Sequence, residues 1–261
     1  MNKYHENGIK RAFDNKKAFI AFITGGDPNI EITRRLIPEM ERAGADLIEI
    51  GIPFSDPVAE GIVIQNANER SLKAGTTTDL IFDMVKRIRN QVSVPLVFLT
   101  YVNPIFTYGV EEFFTRCEEC GVEGVIVPDL PFEEKEEIKS YSSAHGVDII
   151  SLIAPTSDER IQMIAKESEG FVYLVSSMGV TGVRSSFQTD IKSIVGKIKD
   201  NTDTPCAVGF GISTPAQVKE MTDIADGAIV GSAIVKIIEQ HGENCIEPVC
   251  SYVEEMKSAC K

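Results

Sequence analysis

The chain is expected to be an α/β protein, a single (β/α)8 barrel of the TIM type over residues 1–261, and three features predict it. Short β-branched runs alternate along the sequence with charged amphipathic segments of helical length. The runs are apolar almost throughout rather than at every second position, which marks strands buried on both faces of a parallel sheet. There are eight of them, and a barrel of eight strand–helix units fills about this length as one domain. An open doubly wound sheet is the competing arrangement, but no early strand leads into a GxGxxG turn that would seat a dinucleotide.

The elements follow in order. "YHENGIKRAFDN" (4–15) reads as an extra N-terminal helix capping the bottom of the barrel. Strand 1 is "AFIAFIT" (18–24), followed by the helix "NIEITRRLIPEMERAG" (29–44), with asparagine at its start and glycine at its end as caps. Strand 2, "DLIEIGI" (46–52), enters a long connection from Pro53 to about Thr77 that holds its own helix-like piece, "IVIQNANERSLKAG". The helix "TTDLIFDMVKRIRNQ" (77–91) leads to strand 3, "PLVFLTY" (95–101). Strands 4 and 5, "VEGVIVP" (122–128) and "VDIISLI" (147–153), flank "EEKEEIKSYSSAHG". Strand 6, "GFVYLVS" (170–176), opens into a second long loop, "SMGVTGVRSSFQ", before "TDIKSIVGKIKDN". Strands 7 and 8, "PCAVGFG" (205–211) and "DGAIVG" (226–231), complete the set. No linker, low-complexity tract or charge block marks a second domain. Both long loops would project from the C-terminal face, where barrel enzymes build their sites.

Composition narrows the partners. A net charge of -13 without any Lys/Arg cluster argues against nucleic acid or an anionic membrane as the main partner. An anionic ligand would have to be held locally, against the global field. The N-terminus has no signal-type apolar core and no segment is long enough to span a bilayer, so a soluble, cytoplasmic protein is expected. Of the six cysteines, Cys117 and Cys120 in "RCEEC" invite a metal or redox reading. They fall one turn apart on a helix, with no second pair and three scattered histidines, so free thiols in a reducing cytosol and no metal site are expected.

Glu49, inside "LIEIGI", carries the chemistry. A carboxylate among apolar strand residues is either a paired or solvated strand-end charge, or a general acid/base whose pKa is raised by its surroundings. The following "PFSDPVAEG" brings Asp56 and Glu60 close by on a chain stiffened by Pro53 and Pro57. Two carboxylates in different environments can hold different protonation states, although Ser55-Asp56-Pro57 is equally a turn signal. Glycines in "GVTG" (179–182), "GFGIS" (209–213) and "VGSA" (230–233) follow three consecutive strands. Together with a short helix starting near Ser232, their amides form an anion cradle, and the loops after strands 7 and 8 are the usual phosphate site of a barrel. Tyr101 and Asp129 end strands 3 and 4 as candidate pocket residues, and Tyr173 points either inward or towards the helices. Apolar walls are expected from Phe22, Leu99, Ile126, Ile153 and Phe210.

These stretches resemble one family. "IEIGIPFSDPVAEG", "FITGGDP", "GVIVPDLP", "YLVSSMGVTG", "GFGIS" and "IVGSA" are similar, in the same order and over essentially the whole chain, to the pattern of the tryptophan synthase α subunit. The resemblance implies a lyase that cleaves indole-3-glycerol phosphate to indole and glyceraldehyde 3-phosphate. It also implies an α2β2 complex whose β subunit holds pyridoxal phosphate and condenses the indole with serine; no cofactor is implied for this chain. By the same resemblance Glu49 is the general acid/base and Glu60 the second carboxylate, facing the indole N–H. Gly182, Gly211, Gly231 and Ser232 form the phosphate cradle, with Phe210 nearby and Tyr173 against the substrate. Thr181 steadies the acid when the strand 6 loop closes, and Asp56 faces the β subunit. Departures from the pattern are Glu60 where aspartate is more common, Ile62 where proline is usual, and Ser177 where some members carry arginine. A catalytically weak subunit that binds the phosphate ligand and allosterically activates its β partner is the alternative. A sugar-phosphate aldolase lacks support, since no lysine lies in the strands and no histidine cluster offers metal ligands.

Overall fold

A computed structural model describes residues 8–176, 184–209 and 211–260, with backbone alone for 184–190. All strand pairings are parallel. The staves are β1 (Ala18–Thr24), β2 (Leu47–Gly51), β3 (Leu96–Leu99), β4 (Gly124–Ile126), β5 (Asp148–Ile149 and Ser151–Ile153), β6 (Val172–Val175), β7 (Cys206–Gly209) and β8 (Gly227–Val230). The first half of β5 pairs with β4 and the second half with β6. Those halves are the two ends of the hydrogen-bonded order, and they are consecutive in the chain, so the sheet closes on itself.

Alternation of side chains splits the apolar residues into two bodies. Outward positions such as Phe19, Ile48, Phe98, Val125 and Val208 pack under the helices, while Ile20, Leu47, Val97, Ile126, Ile150, Ala207 and Ile229 fill the barrel's interior. At the N-terminal end, a 3-10 turn (Gly8–Ala12) pushes Ile9 and Ala12 into that interior cluster, so the described part of the N-terminal segment plugs the bottom as a 3-10 turn. Arg89 and Arg11 both pair with the buried Glu123 there, tying the plug to the start of β4.

The helices form where side chains satisfy their ends. Asn29 caps α1 (Ile30–Arg42), Thr77 caps α3 (Thr78–Ile88) and Ser157 caps α7 (Asp158–Lys166), each accepting from a first-turn N–H. Thr214 and Gln217 form a reciprocal capping box on α9 (Pro215–Thr222). The connection after β2 carries α2 (Ile62–Lys73), as its helix-like sequence predicts. The remaining helices are α4 (Val102–Tyr108), α5 (Val110–Cys120), α6 (Glu136–Ala144), α8 (Arg184–Lys199), α10 (Ser232–His241) and α11 (Ile246–Ser258). Cys117 and Cys120 lie buried on α5, where burial pushes both thiols up and leaves them protonated and inert at neutral pH. No helix among the described residues is long and apolar enough to cross a membrane.

Candidate active site

A cavity of about 630 Å³ opens at the C-terminal end of the barrel. Its floor is set by strand register. Phe22 on β1 pairs across the ladder with Glu49 on β2, so both side chains point inward. A β-carbon on Gly51 would come 2.9 Å from the Phe22 ring, and one on Gly231 would come 3.2 Å from it. The two glycines therefore let Phe22 lie across the barrel beside Glu49. Tyr173 occupies β6 likewise: a β-carbon on Gly209 would stand 2.5 Å from its hydroxyl.

Glu49 is 1% exposed, and neither carboxylate oxygen has a hydrogen-bond partner among the described residues. Loss of water with no compensating charge pushes its pKa up to about 8 from an ordinary value of 4.5. At neutral pH it is a carboxylic acid with a proton to give. Burial, reinforced by Glu49, also drives the Tyr173 phenol well above its usual range, so that hydroxyl stays a neutral donor.

Glu60 is half-buried at the rim. Burial raises its pKa, while Asn68 and Tyr101 hold the charged form and oppose that rise. Asn68 Nδ2 donates to Glu60 Oε2 at 2.7 Å and Gln65 Nε2 donates to the Glu60 carbonyl at 2.7 Å, both from α2. The two carboxyls thus differ in kind: one dry and unpartnered, the other hydrogen-bonded and partly solvated.

The other side of the cavity is made of main chain. Gly211 has φ of +76°, the left-handed region that a β-carbon disfavours. Gly231 precedes α10, whose start has no side-chain cap, and Ser232 and Ala233 of its first turn line the cavity. Gly211, Ser213, Gly231, Ser232 and Lys236 all line the cavity, and among the described residues Lys236 is the only basic side chain lining it. Such a helix start is suited to an anion.

Of the expected site residues, the structure brings together Glu49, Glu60, Phe22, Leu99, Tyr173, Gly211, Gly231 and Ser232 around this one cavity. Thr181, Gly182 and Phe210 lie outside the described residues. Four others stand elsewhere. Ile126 is fully buried in the interior layer below the cavity, and Ile153 points outward beneath the helices. Asp129 is turned to accept from the Val102 N–H at 3.0 Å and lines a neighbouring groove. Tyr101 is 1% exposed behind the β2–α2 loop, where its hydroxyl accepts from the Ala59 N–H at 3.2 Å and supports Glu60. Asp56 is exposed on that loop and accepts from Ser55, consistent with either the turn or the partner-facing reading. Sequence reasoning missed Leu152, Ile64, Ser213, Lys236 and the Asn68 tether. Only Lys236 had a readable signal, four residues beyond Ser232 on the same helical face.

Comparisons with known proteins identify the family. The family model described as "Tryptophan synthase alpha chain" matches residues 10–261. A protein of that name from Lacticaseibacillus casei is 45% identical over 247 residues, covering 95% of this chain and 93% of its own length. One from Methanocaldococcus jannaschii is 50% identical over 228 residues, covering 87% and 81%. Among solved structures, tryptophan synthase subunit alpha from Legionella pneumophila superposes with a TM-score of 0.88 at 34% identity, covering 98% of this chain and 97% of that one. The subunit from Campylobacter jejuni gives 0.87 at 32% identity, covering 95% and 98%. A likeness that runs through the whole barrel, including the stave of Glu49 and the loop of Glu60, places the chain in the tryptophan synthase alpha chain family.

Proposed function

We propose that the cavity cleaves indole-3-glycerol phosphate to indole and glyceraldehyde 3-phosphate, with Glu49 as the proton-transfer group. The carrying observation is the buried carboxyl of Glu49, without a hydrogen-bond partner among the described residues, in the same cavity as a helix start that has no side-chain cap. Indole is a poor carbanion leaving group, so C3 must accept a proton before its bond to the side chain can break. Glu49 donates that proton, giving the indolenine tautomer with positive charge on the ring nitrogen. Glu60 faces that nitrogen and stabilises the charge. The carboxylate left on Glu49 then takes the proton of the adjacent carbinol hydroxyl. As the C–O double bond forms, the C–C bonding pair returns to the ring, which leaves neutral indole and the aldehyde. The phosphate, remote from the reacting carbon, is held by the main chain at Gly211, Gly231 and Ser232 and fixes C3 against the acid.

Indole made here would pass to a β subunit carrying pyridoxal phosphate, in the cytoplasm and in an α2β2 assembly. Val58, Ile62 and Phe106 support a partner on this face. They are 78%, 66% and 46% exposed, large for apolar side chains, and sit on the loop after β2, at the start of α2 and on α4, in the connections that follow β2 and β3. The test is indole release from indole-3-glycerol phosphate by the chain alone and with its β partner. Turnover that rises in the complex is expected; none in either state would leave only the activator reading.

Lys236 gives the phosphate a counter-charge in a protein of net charge -13. Lys236→Met is expected to raise KM about tenfold with kcat nearly unchanged, since an interaction made equally in ground and transition states affects binding alone. The loss should shrink as salt is added. Steady-state kinetics at two ionic strengths checks both.

A further inference from the structure

Resting on that reading, we infer that Arg70 is a positioning residue, a strut that sets the spacing between the Glu60 wall and the phosphate cradle. Glu60 is held from α2, through Asn68 and Gln65. The cradle belongs to α10. Arg70, two residues after Asn68, joins them. Its Nη1 donates to Glu239 Oε1 on α10 at 2.8 Å, two turns beyond Ser232. Its other edge forks onto Asp27 in the loop after β1, with Nε to Oδ1 at 2.9 Å and Nη2 to Oδ2 at 2.8 Å. The Asp27 side chain is wholly buried, so the fork is anchored in the barrel rather than on the surface.

The same three elements meet in one small apolar cluster, where Phe22 of β1, Ala67 of α2 and Val235 of α10 are all buried. A second tether, Ser71 Oγ to the Gly25 carbonyl at 2.6 Å, holds α2 to the β1 loop without involving α10. Losing the Glu239 contact therefore removes the polar link that sets α2 against α10, while the apolar packing and the tether to the barrel remain. The Arg70–Glu239 pair is 29% and 44% exposed, and a pair that open contributes little to stability. What it supplies is a fixed distance between two walls that grip opposite ends of one substrate.

That distance matters only to a ligand that spans both walls. A mis-set span costs orientation in the linked substrate, whereas separate fragments each find their own wall intact. The experiment measures, in the full chain with its β partner, kcat for indole-3-glycerol phosphate and dissociation constants for glycerol 3-phosphate and indole. Glu239→Ala and Arg70→Lys are expected to lower kcat about tenfold while both fragment constants stay within about twofold. The double variant is expected to be no worse than Arg70→Lys alone, because both changes cut one strut. Unchanged kcat in Glu239→Ala would overturn the inference, as would fragment affinities that fall in step with kcat. Glu239→Ala keeps the test open should Arg70→Lys unfold. A wild-type chain that cleaves no substrate would instead sink the proposed function itself.

Discussion

Glu49→Gln is expected to lower indole release by at least about 10²–10⁴-fold while leaving the affinity for glycerol 3-phosphate within about twofold. Glutamine keeps the shape and fits the same dry site, but it has no proton to give to C3 at any pH. The residues proposed to hold the phosphate, Gly211, Gly231 and Ser232, follow β7 and β8 and open α10, on elements other than the strand of Glu49. The variant should also be more stable at neutral pH. Glu49 is pushed up to about 8 in the folded chain from an ordinary 4.5, so folding takes up a proton between those values. Its stabilising contribution is full below about pH 4.5 and is lost as pH rises through about 8. At pH 7 the cost of keeping this carboxyl dry is on the order of 3 kcal/mol, from roughly 1.4 kcal/mol per unit over about two and a half units. Urea denaturation of wild type and variant at pH 5 and pH 8 should show the gap widening with pH. The rate follows the same group: in the wild type, cleavage should fall as pH rises through about 8 in the uncomplexed chain, because the acid form is the donor. Equal loss of cleavage and phosphate affinity, with no gain in stability, would make Glu49 a structural residue.

The strands were legible because a parallel barrel buries both faces, and each stave shows as an apolar run. Glu49 was legible for the same reason, as a charge interrupting such a run. The direction in which a residue faces was much less so. In β5 the ladder changes partner at Ile150, between its two halves. Leu152 then faces the cavity and Ile153 the helices, and apolar content alone cannot separate such neighbours. Ile126 has the inward parity but sits one layer too deep, since depth depends on the stagger between strands rather than on the run itself. Tyr101 and Asp129 read as pocket residues because they are polar and end strands. The chain turns into α4 immediately after Tyr101, so the ring stacks beneath Phe54 and its hydroxyl serves the loop of Glu60 instead. The contacts of the Arg70 strut depend on where α2 docks against β1 and α10. Those contacts join residues up to 169 positions apart, and no local pattern announces them.

Glu60→Gln is expected to reduce kcat by about 10²-fold with little change in KM, whereas Glu60→Asp should stay within about tenfold of wild type. Positive charge reaches the indole nitrogen only after C3 has been protonated, so a carboxylate facing that nitrogen acts on the transition state far more than on the bound substrate. Glutamine is of equal size and can still accept from Asn68, which isolates the charge as the quantity removed. The aspartate variant asks a different question. Glu60 Oε2 reaches Asn68 at 2.7 Å with the longer side chain, and shortening it by one methylene withdraws the carboxylate from that donor or shifts the rim towards α2. Because Gln65 holds the backbone carbonyl of residue 60 independently of side-chain length, the loop's course should survive and only the carboxylate's reach should change. Burial raises the Glu60 pKa and Asn68 opposes the rise, so an aspartate without that hydrogen bond also loses help in staying ionised. The modest loss predicted for aspartate therefore combines reach and ionisation, and raising the pH should recover the second part but not the first. A glutamine variant that keeps its rate within threefold would remove Glu60 from the chemistry and leave the ring nitrogen's charge to be met by other means.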